Sequence, residues 1–250
     1  MDILITICGR AGSRGVKDKN IRKFLGKPLI KYSVASANLF KENNSAHSVD
    51  ICVNSDSRRI LNLIKGDDLT FIKRPQELAR DNSPKVPVIK HSLIFMEEKL
   101  NKKYDYIIDL DITSPLRKVT DIENALNKVV ENISADVVFS VVPSRRNPYF
   151  NMVESTDAGM RRIIAANYTA RQQLPKVYDI NASIYCYKRD SLLYKLEHSP
   201  LDGEFDAILM KDTAVLDIDS EEDFKLMEVL SRHYFKDEFR ELFDYVKHMS

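Results

Sequence analysis

Two hydrophobic patterns alternate along this chain: short runs of consecutive apolar residues, and longer stretches in which apolar residues recur every three or four positions. The first pattern marks strands buried on both faces, the second amphipathic helices. Strands are expected at Ile3–Cys8, Val49–Val53, Thr70–Ile72, Tyr104–Ile112, Asp136–Val142, Tyr149–Val153, Tyr178–Tyr185 and Thr213–Asp219. Helical spacing places Leu29, Ile30, Val34 and Ala37 on one helix, and another starts near Arg58 with Asn54-Ser55-Asp56 available as caps. A long helix over Val86–Leu100 turns Val86, Ile89, Ile94 and the residues from Met96 to Leu100 toward the core. Capping boxes at Thr120-Asp-Ile-Glu123 and Ser220-Glu-Glu-Asp223 open two more, through Ile122, Leu126, Val129 and Val130 and through Phe224, Leu226, Met227 and Leu230. Phe235–Met249 reads as a terminal packing helix with Phe239, Leu242, Phe243 and Val246 on its apolar side.

Strands that alternate with helices imply an α/β fold with a mainly parallel sheet flanked by helices. The regular alternation fails between residues 143 and 181, where basic and turn-forming residues (Ser144-Arg-Arg-Asn-Pro148, Asp157-Ala-Gly159) surround one expected strand. This stretch reads as an excursion from the sheet, a lid or a dimerisation arm, within one domain spanning residues 1–250.

Composition narrows the function. A 250-residue chain that is 44% hydrophobic can bury one large core. The balance of 38 basic against 37 acidic residues argues against coating nucleic acid. Three cysteines without a C-x-x-C pair and five scattered histidines suggest neither zinc nor a disulfide framework, which fits a reducing cytoplasm. No apolar run approaches eighteen residues, and no basic stretch precedes the first strand, so neither a membrane span nor an export signal is expected.

The basic charge is nevertheless concentrated. Gly9, Gly12, Gly15 and Gly26 fall in the window 9–27 with seven basic residues (Arg10, Arg14, Lys17, Lys19, Arg22, Lys23, Lys27) and a single acid, Asp18. Glycines let main-chain N–H groups approach a ligand closely, and arginine and lysine supply charged donors, so a loop of this kind after a buried strand suits phosphate. The alternative is a basic surface turn. The spacing is neither G-x-x-x-x-G-K-[ST] nor G-x-G-x-x-G. A strand period of two puts Asp109 with Asp111, and Asp217 with Asp219, on shared faces at strand ends. Four carboxylates beside a cationic loop make sense if a magnesium ion bridges acids to a triphosphate.

The run Cys8-Gly-Arg-Ala-Gly-Ser-Arg-Gly-Val-Lys-Asp-Lys-Asn-Ile21 resembles the R-G-G-S-K-G-[IV]-x-x-K-N-I signature of the acylneuraminate cytidylyltransferases, departing at Ala11 and Arg14. Further patches resemble the same family: Arg74-Pro to Ser83, Thr113-Ser-Pro-Leu-Arg117, and Tyr178-Asp-Ile-Asn-Ala-Ser-Ile-Tyr185, where Ala182 replaces a glycine. The resemblance implies a Rossmann-like nucleotidyltransferase sheet, a homodimer, and an enzyme that uses CTP and Mg2+ to activate an acidic nine-carbon 2-keto sugar. By the same resemblance Arg10, Gly12, Ser13, Arg14, Lys19, Asn20, Arg74 and Ser83 bind the nucleotide, with Arg10 and Lys19 acting in catalysis. Asp217 and Asp219 hold the metal, while Thr113, Arg171, Gln172, Tyr178 and Asn181 hold the sugar. Asp111 stands where the sialic acid branch carries glutamine, which suggests a metal contact or a differently substituted sugar, with a diamino acid such as legionaminic acid favoured. Two other readings stay open: a nucleotide-sugar glycosyltransferase using Asp109-Leu110-Asp111 as a D-x-D pair, and a non-catalytic nucleotide-binding module.

Overall fold

The computed structural model describes residues 1–12, 15–64, 68–168, 170–213 and 217–249, apart from the side chain of Arg171. The chain opens with β1 (Asp2–Cys8), a two-strand ribbon β2 (Lys23–Phe24) and β3 (Lys27–Pro28), then α1 (Ile30–Asn43), β4 (Ser48–Ser55), α2 (Arg58–Leu63) and β5 (Thr70–Lys73). It continues through α3 (Lys85–Leu100), β6 (Tyr106–Leu110), α4 (Val119–Glu131) and β7 (Val137–Pro143). A hairpin of β8 (Val153–Thr156) and β9 (Gly159–Arg162) precedes β10 (Tyr178–Lys188), α5 (Arg189–Tyr194), β11 (Phe205–Leu209), α6 (Glu221–Tyr234) and α7 (Arg240–His248).

The main sheet has the order β11-β7-β10-β6-β1-β4-β5. All its pairings are parallel except those of β10, which runs antiparallel between β6 and β7. The period of two is visible in β1: Ile3, Ile5 and Ile7 face the layer containing α1, α4, α6 and α7, whereas Leu4 faces the layer containing α3. From β1 the chain builds outward through β4 and β5 and then crosses back to place β6 on the other side of β1. Between the carboxyl ends of β1 and β6 there is therefore a topological switch point, the place where open parallel sheets bind ligands.

Several expectations are corrected. Of the strand expected at Thr213–Asp219, Ala214, Val215 and Leu216 lie outside the described residues, and Asp217, Ile218 and Asp219 are irregular. Ile218 still docks on the sheet end by donating its N–H to the Thr113 carbonyl at 3.0 Å. Tyr149 is not in a strand; a tight turn at Asp157-Ala158 pairs β8 with β9 instead. Helix α2 is capped by Ser57, whose hydroxyl accepts from the Ile60 N–H, while Ser55 and Asp56 serve the preceding turn and the loop after β1. Helix α4 begins before Thr120, because Asp121 reaches back to accept from the Lys118 N–H at 2.9 Å. Ile94, Val130 and Leu226 are exposed rather than core, since each sits one position off the stripe that its helix buries, and Leu100 is exposed because it is the last residue of α3. The terminal segment divides in two: α6 extends to Tyr234, and α7 starts only at Arg240.

Ala182 occupies the left-handed region at φ 52°, beside the bulge in β10, so the backbone takes the turn that a glycine would favour despite the extra Cβ. Ala11, by contrast, is not among the left-handed residues, and alanine is tolerated there without strain.

Candidate active site

Residues 9–22 leave β1 and cross the switch point. Their start is clamped to the β4–α2 turn: the Gly9 N–H donates to the Asn54 carbonyl at 3.1 Å, and the Ala11 N–H donates to Asp56 at 2.8 Å. Their two ends are tied together by Asn20, whose amide donates to the Arg10 carbonyl at 3.0 Å. The one acid of the basic window, Asp18, is held by both Nη1–oxygen contacts of Arg59 at 3.0 Å. Gly12 is left-handed at φ 76°, and Gly15 is required by proximity, because a Cβ there would lie 1.8 Å from the Asp219 carbonyl oxygen. Gly15 thus lets the cationic loop and the acidic segment touch. Ser13 and Arg14 lie outside the described residues.

A cleft of about 270 Å³ forms here, lined by Arg10, Gly15, Lys19, Asn20, Asp111, Thr113 and Asp219 together with Cys8 and Ile112. Lys19 Nζ reaches Asp219 at 3.2 Å and the Ile218 carbonyl, and Arg10 pairs with Asp81. Both cations therefore hold protein oxygens at the cleft wall, contacts that phosphate oxygens could replace. Asp217 has its carboxyl pushed up to about 6, first by burial and then by the negative charges of Asp219 and Asp111. Among the described residues no group of three or more His, Cys, Asp or Glu is set to hold a metal. An adjacent acid pair still fits magnesium, which takes one or two carboxylates and completes its shell with substrate phosphates and water. Burial pushes the Cys8 thiol well above its ordinary value, so it is protonated and is no nucleophile.

The Asp109/Asp111 pair is organised differently. Asp109 is fully buried and accepts from the Thr6 hydroxyl at 2.6 Å, the residue opposite it in the β1–β6 register. Lys85, which opens α3, lies 2.7 Å from Asp109 and 2.6 Å from Asp111. Asp111 also accepts from both the N–H and the hydroxyl of Thr113 at 2.9 Å. Although burial opposes its ionisation, Lys85 and Thr113 hold the Asp111 carboxyl below the usual carboxylate range. Asp109 is buried and engaged by Thr6 and Lys85, so Asp109-Leu110-Asp111 does not present two acids to the cleft as a D-x-D metal pair.

Other sequence candidates lie apart. Arg74 is buried, with its guanidinium on the Asn54 side-chain and main-chain oxygens, each at 2.9 Å, and underlies the cleft without lining it. Ser83 donates to the Glu77 carbonyl at 3.2 Å, on the same segment as Asp81. Asn181 is buried, receiving a bond from the Ser140 hydroxyl at 2.5 Å and directing its amide at the Met210 sulfur. Gln172 and Tyr178 are exposed, and Tyr178 borders a separate, mostly apolar depression beside Phe139, Pro148 and Phe205. That depression is larger, about 650 Å³, but offers few of the cations that a triphosphate requires. Arg171 lies in a short 3-10 turn, and its side chain is outside the described residues.

Sequence reasoning missed Lys85 and gave Arg117 no role. Arg117 is buried and donates to the Asp111 and Ser114 carbonyls, fixing the turn that carries Thr113. The signal for Lys85 was available: a lysine in the first turn of a helix opposes the helix dipole and calls for a compensating acid.

A family model for cytidylyltransferases matches residues 4–238. The chain belongs to the cytidylyltransferase family. It is 41% identical over 231 residues to a CMP-N,N'-diacetyllegionaminic acid synthase of Campylobacter jejuni, covering 92% of this chain and 94% of that one. It is 40% identical over 230 residues, with the same coverage, to a post-translational flagellin modification protein B of Campylobacter coli. An N-acylneuraminate cytidylyltransferase of Streptococcus agalactiae is 26% identical over 242 residues, 96% of this chain and 55% of that one. Among solved structures, a CMP:2-keto-3-deoxy-manno-octonic acid synthetase complexed with CTP shares the fold at TM-score 0.66 and 16% identity, over 93% of this cytidylyltransferase and 99% of that chain. No helix among the described residues is long and apolar enough to cross a membrane.

Proposed function

We propose that this cytidylyltransferase transfers CMP from CTP to the anomeric hydroxyl of an acidic nine-carbon 2-keto sugar, with a diamino acid of the legionaminic type as its preferred acceptor. The observation that carries this reading is the meeting of Arg10 and Lys19 with Asp219 in the cleft at the switch point, where Gly15 touches Asp219 and Asp217 lies within range of the charges of Asp219 and Lys19. Similarity to the Campylobacter jejuni legionaminic acid synthase at 41% identity supports the choice of acceptor.

In the reaction the sugar hydroxyl oxygen forms a bond to the α-phosphorus and loses its proton to solvent, the bond from that phosphorus to the bridging oxygen breaks, and pyrophosphate leaves with the electron pair. Arg10 exchanges Asp81 for a phosphate oxygen, and Lys19 exchanges Asp219 and the Ile218 carbonyl. Asp217 and Asp219 would hold Mg2+, which neutralises triphosphate charge and polarises the α-phosphate when bound. Asn20 keeps the loop closed, so the cations are positioned before substrate arrives.

The same reading makes the protein a cytoplasmic homodimer. Its three free thiols suit a reducing compartment. Exposed Phe205 and Leu209 on the edge strand β11, with Val153 and Met160 on the hairpin, form the kind of apolar edge that a second copy covers. Arg171, Gln172 and Tyr178 belong to the excursion, which such a partner would bring to a cleft.

The test is pyrophosphate release from CTP and Mg2+ against sialic, legionaminic, pseudaminic and eight-carbon 2-keto acids. The expected result is the highest kcat/KM with the legionaminic acid. A higher value with sialic or an eight-carbon acid overturns the acceptor, and CTP binding without release from any of them favours a non-catalytic module.

A further inference from the structure

Lys85 is costly where it stands. It opens α3 at the positive end of the helix dipole, no acid in the first turn of α3 offsets it, and it is largely withdrawn from solvent. Two carboxylates hold it, Asp109 at 2.7 Å and Asp111 at 2.6 Å, and its ammonium lies 5.3 Å from the centre of the Tyr185 ring. Burial alone would push Lys85 toward its neutral form, but the two aspartates raise it well above the ordinary lysine value.

The consequence falls on Asp111. One of its oxygens receives the Thr113 N–H and hydroxyl, the other receives Lys85, and its main-chain carbonyl is held by Ser33 at 2.8 Å and by Arg117. Asp219 contrasts with it: its side chain is 77% exposed and meets Lys19 at 3.2 Å. Two carboxylates thus line one cleft, Asp111 and Asp219, yet the one that follows β6 is already paired and fixed in direction.

We propose that Lys85 is a positioning residue of the transfer reaction: it withholds Asp111 from the divalent ion and presents that carboxylate as a fixed acceptor for a hydroxyl or amide N–H of the incoming sugar. The inference deepens the proposed function: it rests on the proposed acidic 2-keto sugar acceptor and on the place of Asp111 in the cleft wall. A carboxylate whose lone pairs are partly occupied by rigid donors accepts one further hydrogen bond in one direction, which is a means of selecting a substituent. A carboxylate released from its counter-ion would instead be drawn to the metal.

The experiment compares Asp111→Asn with Lys85→Met. Lys85→Met leaves the buried Asp109 without its counter-charge and lowers stability, so Asp111→Asn, which keeps the Lys85–Asp109 pair, carries the proposal independently. Mn2+ binding to the CTP-loaded protein is followed by electron paramagnetic resonance, without sugar, and KM is measured separately for CTP and for the legionaminic acid. The expected result for Asp111→Asn is unchanged Mn2+ affinity, CTP KM within about twofold of the parent, and acceptor KM raised about tenfold or more. Lys85→Met, where it folds, raises acceptor KM likewise and tightens Mn2+ binding, because Asp111 becomes free to ligate. Mn2+ affinity that falls about tenfold in Asp111→Asn makes Asp111 a metal ligand and overturns the proposal. Unchanged acceptor KM in that variant overturns it too, even if melting temperature drops. The Mn2+ arm needs no turnover, so a parent enzyme inactive with every sugar overturns the acceptor reading while the metal question is still answered.

Discussion

The two aspartate pairs, Asp109/Asp111 and Asp217/Asp219, share the same spacing in the sequence and end in opposite environments. Asp109 is wholly buried in β6 against Thr6, and Asp111 is locked between Lys85 and Thr113, so both acids are held by a shared cation before any ligand arrives. Asp217 and Asp219 sit on irregular chain docked by Ile218, with Asp219 open to solvent and Asp217 pushed up to about 6 by burial and its acidic neighbours. One pair belongs to the scaffold, and in the other Lys19 offsets the mutual repulsion of the acids only in part. A carboxylate pair of the second kind gains most from a divalent ion, because the ion relieves a repulsion that folding has already imposed.

The comparison can be broken most forcibly at the open pair. Asp217→Ala and Asp219→Ala are each expected to lower kcat/KM by roughly a thousandfold or more while leaving the melting temperature nearly unchanged. Near-parental rates in both, measured by pyrophosphate release across a magnesium titration, would remove the metal assignment.

At the closed pair the expected loss is in stability. Asp109→Ala strands the Thr6 hydroxyl and half of the charge balance of Lys85, at a cost of about 3 kcal/mol, the low end for a broken buried pair because Lys85 keeps Asp111. Urea denaturation would show it as a lower midpoint, and a change below about 1 kcal/mol would mean that Asp109 is not structural.

Gly15→Ala probes the junction between the cationic loop and the open pair. With a Cβ required 1.8 Å from the Asp219 carbonyl, loop and acidic segment must separate, and transfer should slow by about 2 kcal/mol in barrier without loss of fold. Retained activity, read against circular dichroism of the same preparation, would show that the close approach is dispensable.

The smallest effect is expected at Ala182. Its φ of 52° strains any residue with a Cβ, so Ala182→Gly should stabilise the protein by about 1 kcal/mol, visible as a rise of a few degrees in melting temperature. A fall would mean that the alanine methyl packs better than its backbone is strained.

The sheet was readable because parallel strands buried on both faces must be continuously apolar, and Ile3–Cys8, Val49–Val53 and Asp136–Val142 satisfy that demand locally. The basic loop was readable for a similar reason: glycines and cations crowded into residues 9–27 are a property of local composition. Helix faces were less legible. Ile94 and Leu226 are apolar enough for a core, and only packing against the sheet decides which stripe is covered. The segment at Asp217–Asp219 carries a strand-like alternation, yet what positions it includes the bond from Ile218 to Thr113, the Lys19 contacts with Ile218 and Asp219, and the approach of Gly15, all made across the fold.

From its sequence alone this protein was legible as an α/β chain with a basic, glycine-rich loop and two acid pairs, since apolar period and charge clustering are local properties. Which pair is neutralised was decided by tertiary structure. Lys85 lies 24 residues before Asp109 in number and 2.7 Å from it in space. Charge compensation depends on distance and burial, and no local pattern encodes either.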